Sequence, residues 1–158
     1  MFVDKDVLDS GSLDINGNNR YLFEKCRYTG IDIGYGKNVD IKTMTHKFRP
    51  GKEYDVVMST EQFEHDKYWR ESAKRCVELT KQGGLFMFTC ALEGRPEHGT
   101  EKNHPGTSPF SHKLFSNYYE NRVAQDFKDL PWWKDAFVMS GFHENTDNLD
   151  LYFWGIKK

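Results

Sequence analysis

The chain has 158 residues, of which 37% are hydrophobic and 15% aromatic, enough for one domain with one packed core. Its 22 basic and 24 acidic side chains leave a formal charge of −2, so there is no long-range field to draw in nucleic acid. No apolar run approaches the roughly 20 residues of a membrane span, and no signal-peptide pattern opens the chain. Cys26, Cys76 and Cys90 are odd in number and form no CxxC pair, which fits reduced thiols in a soluble, cytoplasmic protein.

In chain order, short apolar runs alternate with helical stretches, the signature of βαβ units and a mostly parallel sheet. Asp6–Asp9 reads as a first strand, ended by Ser10-Gly11-Ser12, and 18–26 as a helix carrying Tyr21, Leu22 and Cys26. Tyr28–Ile33 is a second strand. The link Gly34–Asn38 is too short for a crossover helix, and Val39–Ile41 reads as a short third strand. Tyr54–Ser59 is a fourth strand whose continuous apolar middle suits burial on both faces. Lys67–Thr80 is the clearest helix, stopped by Gln82-Gly83-Gly84, and Leu85–Cys90 is a fifth strand. Residues 92–112 form a long loop with three of the five prolines and three of the six histidines. A helix over 114–127 follows, then an antiparallel hairpin of 136–142 and 149–156 at the sheet edge. The expected fold is therefore α/β: a Rossmann-like open sheet, mostly parallel, with a terminal antiparallel hairpin and helices on both faces.

In such sheets ligands lie across the carboxyl ends of the strands where the chain order reverses. Gly11 stands at the first strand tip, where the lack of a Cβ lets a ligand approach the backbone. Asp32 stands at the second, 23 residues after Asp9, where an acid can accept both ribose hydroxyl protons. Leu13 occupies the place of the second glycine of a GxGxxG fingerprint, which disfavours a pyrophosphate and with it a nicotinamide dinucleotide. A nucleoside ligand without phosphates fits better.

The run VLDSGSLDINGNNRYLF resembles the first motif of the class I S-adenosylmethionine (SAM)-dependent methyltransferases, in the type 11-like subfamily where GSLDING replaces GxGxG. YTGIDIGYGKNVDI resembles the second motif, YDVVMSTEQFEH the fourth, and LTKQGGLFMFTCA the segment before the fifth strand, with Gln82 for proline. The resemblance implies SAM as cofactor and assigns roles by position. Asp9, Gly11, Ser12 and Leu13 would hold the methionine end; Asp32 the ribose; Ile33, Thr45 and His46 the adenine. Ser59, Thr60 and Glu61 would close the site. Two departures stand out. Met44 replaces the usual aspartate that accepts from the adenine amino group, at a cost of about 1 kcal/mol. The family also carries helical residues before the first strand, whereas six residues precede Val7 here, so either another segment covers the site, or the sequence is short at its start, or the cofactor binds weakly.

Methyl transfer from a sulfonium is an in-line displacement that needs a base only if the acceptor must lose a proton. The base candidates are Glu61, Glu64 and His65, after the fourth strand; His65 would take a hydroxyl proton at an ordinary pKa near 6.5. Alternatively, Glu64 and His65 cap the following helix. The long loop, with Arg95, Glu97, His98, His104 and His112, would be a lid or an ordered surface loop, and the histidine spacing gives no metal site. Trp132 and Trp133 suit core packing better than stacking on a sugar. Tyr152, Phe153 and Trp154 read as edge-strand core. The acceptor would be a small molecule or, from the resemblance alone, a glycan-linked one, with no nucleic acid or membrane partner and the oligomeric state open. The competing reading is a non-catalytic, methyltransferase-like binding module.

Overall fold

The computed structural model describes residues 2–158. Seven strands form one sheet: β1 (Asp6–Ser10), β2 (Arg27–Asp32), β3 (Ile41–Lys42), β4 (Tyr54–Thr60), β5 (Thr80–Ala91), β6 (Phe137–Asn145) and β7 (Asp150–Lys157), in the order β3-β2-β1-β4-β5-β7-β6. The first five pair in parallel, and β7 runs antiparallel to both β5 and β6. This is the Rossmann-like open sheet with a terminal hairpin. Order reverses between β1 and β4, where Ser10 pairs with Ile31 on one side and Ser59 on the other, so three strand tips end at one level.

Period-two alternation splits the sheet into two unequal faces. Leu8, Val57, Phe86, Phe88 and Phe153 point to the face covered by α1 (Trp69–Leu79), α3 (Ala124–Lys128) and α4 (Trp133–Ala136). Helix α1 buries Trp69, Ser72, Ala73, Cys76, Val77 and Leu79, the spacing of one helical stripe. The aromatic residues concentrate here: Trp133 lies 5.3 Å from Phe127, 5.2 Å from Phe137 and 4.8 Å from Phe153, ring centre to ring centre. The opposite face carries Val7, Val56 and Met58 beneath Phe23, with Tyr28, Leu85 and Met87 beside them. Its far end leaves Trp154 and Met139 exposed. Trp154 is thus no core residue, and β7 is an interior strand, β6 being the edge. Trp133 is core, as its setting suggested.

Two expected helices are corrected. Instead of a helix over 18–26 there is a four-residue 3₁₀ turn at Arg20–Phe23. Tyr21 and Leu22 are exposed and only Phe23 reaches the core, so no apolar stripe offsets the cost of helix nucleation. Instead of a helix over 114–127, the short α2 (Ser111–Leu114) and α3 flank an irregular segment. Ser116 and Asn117 sit in left-handed backbone, which ends a helix, and the Arg122 N–H donates to the Ala91 carbonyl as a strand residue would. The third strand begins at Ile41 rather than Val39, because Asp40 turns back: its Oδ2 accepts the Gly30 N–H at 2.7 Å. The expected helix-free link before it is found: eight residues, 33–40, join β2 to β3 with no helix. Among the described residues the three cysteines are free, and no helix is long and apolar enough to cross a membrane.

Candidate functional site

A cavity of about 520 Å³ opens over the tips of β1, β2 and β4, within the size range of small-molecule sites. Asp9, Gly11, Ser12 and Leu13 from the first loop line it, with Asp32 and Ile33 from the second and Met44, Thr45, Thr60, Glu61 and His65 around them. Most of the residues proposed from sequence therefore converge. Three do not. His46 turns away and packs on the Tyr68 ring at 4.7 Å. Ser59 shares the helix-side face of Val57 and is fully buried, its Oγ donating to Gln62 Oε1 at 2.9 Å. Glu64 is also fully buried, behind the wall that His65 presents.

The loop after β1 is shaped by close packing. Gly11 adopts φ +76°, and a Cβ there would stand 2.9 Å from the Gln62 Cβ, so any side chain would be both strained and crowded. The Gly11 and Ser12 N–H groups both donate to the Ile31 carbonyl, at 2.9 and 3.0 Å. Asp32 accepts the Gly34 N–H on Oδ1 at 2.9 Å and the Leu13 N–H on Oδ2 at 3.3 Å, which fixes its carboxylate toward the cavity and ties the two loops together. Burial raises the Asp32 pKa, with the Gly34 N–H working against it.

Asp9 is buried. Its Oδ2 accepts from the Tyr28 hydroxyl and, at 3.4 Å, from Asn38, while Oδ1 finds no partner among the described residues. Burial pushes this carboxyl up to about 6, only partly offset by the Tyr28 hydrogen bond. The cavity floor also holds a network that sequence reasoning missed. Gln62 Oε1 accepts from Ser10 and Ser59, and its Nε2 donates to Thr45 at 2.9 Å and to Asp66 at 3.2 Å. Asp66, raised by burial, is held further by Ser72. Glutamine has no intrinsic signal in sequence; its role depends on which side chains surround it.

Residue Glu61 takes left-handed backbone at φ +52°, uncommon outside glycine and asparagine, and accepts from Thr89 at 2.7 Å and Arg95 at 3.0 Å. Arg95 is also paired with Asp150. Neither Glu64 nor His65 caps α1: the helix starts after Tyr68, whose N–H donates to Asp66. Burial holds the His65 imidazole down at about 3, with the His98 and Arg95 charges adding to it, which makes it a weaker base than an ordinary histidine. Burial and then the Glu61 carboxylate raise Glu64 well above the usual range.

The long loop does cover the cavity. Arg95, His98, His104, Thr107, Ser108 and Phe110 line it from above, and the Phe110 ring lies on Gly34, where a Cβ would meet it at 1.9 Å. His112 instead bonds back to the Ser108 carbonyl, and Glu97 to Thr100 and Asn103.

Solved structures similar to this chain share one architecture. The N-methyltransferase NodS of Bradyrhizobium japonicum WM9, in complex with S-adenosyl-L-homocysteine (SAH), superposes with a TM-score of 0.64 at 12% identity, over 98% of this chain and 79% of that one. The 1,6-didemethyltoxoflavin-N1-methyltransferase of Burkholderia thailandensis, with 1,6-didemethyltoxoflavin and SAH bound, gives 0.66 at 15% identity, over 99% and 72%. Magnesium protoporphyrin IX methyltransferase of Synechocystis PCC 6803, with SAH bound, gives 0.64 at 11% identity, over 99% and 75%. The chain has a methyltransferase fold. No family model and no curated protein sequence matches it, so at these identities the likeness concerns the fold alone. Within the methyltransferase fold, the cavity lies at the switch point of the sheet, the place where open α/β sheets bind ligands.

Proposed function

We propose that the protein is a SAM-dependent methyltransferase acting on a small-molecule acceptor, and that residues 11–17 mark it as a member of the GSLDING subfamily. The observation that carries this reading is the convergence of Gly11 and Asp32 on one cavity at the point where strand order reverses. The lining fits SAM chemically. The unpartnered Oδ1 of Asp9 offers a carboxylate to the cationic methionine end, Asp32 has lone pairs left for ribose hydroxyls, and Ile33 and Met44 give apolar surface to an adenine. When bound, SAM supplies an electrophilic methyl group on a sulfonium. The protein's part is to hold the methyl in line with an acceptor and keep water away, which the loop around Phe110 serves.

Calorimetry with SAM and SAH tests the reading: one site per chain binding both is expected, followed by methyl transfer in an acceptor screen with labelled SAM. Absence of heat with either ligand at millimolar concentration would favour a non-catalytic binding module instead. That second reading draws on Met44, which lines the cavity without the acceptor an adenine amino group would use.

A further inference from the structure

Beside the cavity stands a group of side chains that the methyl-transfer reading does not use. Glu64, His65 and His98 each bring one ligand-type atom within 4.8 Å of the others. Glu64 is 0% exposed, and neither of its carboxylate oxygens has a hydrogen-bond partner among the described residues. His65 is 6% exposed, and its Nδ1 is likewise buried and unpartnered. A buried carboxyl group and a buried imidazole left without partners are costly, and most such groups in folded proteins are satisfied. The third member is oriented from outside. His98 Nδ1 lies 3.1 Å from the Pro96 carbonyl, which can only accept, so Nδ1 carries the proton and Nε2 has a free lone pair. A backbone carbonyl receiving the second ring N–H is the usual support of a metal-ligating histidine.

We propose that Glu64, His65 and His98 form a binding site for one divalent first-row transition cation. Two imidazoles and one carboxylate suit zinc, cobalt or manganese and disfavour the all-oxygen preference of calcium and magnesium. Metal–ligand distances near 2.0–2.2 Å put ligand atoms roughly 3–4 Å apart, so the present spacing closes with a small side-chain rotation. His98, half-buried on a surface loop, can supply that movement. The acid and the first histidine are held by the backbone of the turn after β4, where the His65 N–H donates to the Gln62 carbonyl at 2.9 Å. Because His65 and His98 line the cavity, the open coordination positions of the ion would face it. Glu61, the negative neighbour of Glu64 and already paired with Arg95, adds charge of the favourable sign.

The test uses the full chain stripped of metal and is carried out without SAM or SAH, so it stands or falls apart from the methyl-transfer reading. Titration with Co²⁺, followed by calorimetry and by the visible d–d bands, is expected to show one equivalent per chain. Glu64→Gln and His98→Ala are each expected to weaken binding at least 10-fold, since loss of a supporting residue alone typically costs 10–100-fold. His98 lies on a surface loop, so its variant is expected to fold even if Glu64→Gln does not, with circular dichroism as the check. His143→Ala, on the edge strand, is expected to leave the affinity unchanged. No stoichiometric binding by the wild-type chain, or equal affinity in the wild type and His98→Ala, would overturn the site.

Discussion

Replacing Asp9 by asparagine separates what this residue costs the fold from what it offers a ligand. Its carboxyl is moved from an ordinary 3.8 to about 6 by burial, and at 1.36 kcal/mol per tenfold in proton affinity that is about 3 kcal/mol. The sign follows from linkage. A carboxyl whose folded pKa is raised contributes stability while protonated; that contribution is complete below about 3.8 and is lost as pH rises through about 6. Asparagine does not titrate, so every other group cancels when the two chains are compared at each pH. Whatever the offset between Asp9→Asn and wild type at pH 4, urea unfolding should show it shift in favour of the variant by about 2–3 kcal/mol by pH 7.5. The ligand-free variant should therefore gain stability relative to wild type as pH rises, while its SAH affinity is the lower of the two. The variant has no negative charge for the ligand's ammonium, and a hydrogen bond to a charged group is worth about 1.5–3 kcal/mol. A stability difference that is flat between pH 4 and 7.5 would refute the argument, because it would mean that Asp9 ionises in the fold as it does in water.

Three further substitutions probe the site and its support. Asp32→Ala should weaken SAH binding by about 1.5–3 kcal/mol, about 10–150-fold in Kd by calorimetry, and an unchanged constant would remove Asp32 from the site. Gly34→Ala places a methyl group where the Phe110 ring lies, so the lid should lift; we expect SAH to dissociate up to about tenfold faster in stopped-flow traces, with little change in the unfolding midpoint. Trp133→Ala removes a ring that is 4% exposed and packs among Phe127, Phe137 and Phe153. It should cost about 3–5 kcal/mol in denaturant unfolding.

What could be read from the residues, and what could not, divides along the range of the interactions. The strands β1, β2, β4 and β5, the helix α1 and the terminal hairpin all announce themselves, because alternation or helical spacing is a local property. Gly11 and Asp32 were legible for the same reason, each standing at the end of its strand. Ser59 and Thr60 differ only in strand parity: one residue decides that Thr60 faces the cavity and Ser59 the Gln62 amide beneath it. Gln62 and Phe110 act through partners far along the chain, Gln62 on Ser10 and Thr45 and Phe110 on Gly34, and no spacing rule marks them. The ordinary pKa of His65 was misleading because burial depends on what the loop bearing His98 does, 33 residues on. The helix expected over 114–127 failed at two left-handed residues, Ser116 and Asn117, of which only the asparagine has a known preference for that backbone.

The short first crossover raises the question of how the site keeps its geometry. In a doubly wound sheet a helix normally follows the first strand and fixes the ligand loop by packing on the sheet. Here that link is a four-residue 3₁₀ turn that buries only Phe23. Side chains take over the fixing. Asn38, in left-handed backbone, donates from Nδ2 to the Ser12 carbonyl at 2.9 Å and accepts the Ser12 hydroxyl on its own carbonyl at 3.0 Å. Its Oδ1 accepts from Arg20 Nε at 2.6 Å, and Arg20 also reaches Asp40 and covers the Tyr28 ring at 4.3 Å. Tyr28 in turn donates to Asp9. This chain of contacts links the first loop, the 3₁₀ turn, the second strand and the β2–β3 link through polar groups rather than apolar area. Such support is directional, so it can hold a loop in place with little buried surface, but each member depends on its neighbours being present. The same network supplies both hydrogen-bond partners of the buried Asp9, Tyr28 and Asn38, and leaves its Oδ1 without one, so the residue that strains the fold is also the one to which the proposed function gives the ligand's cation.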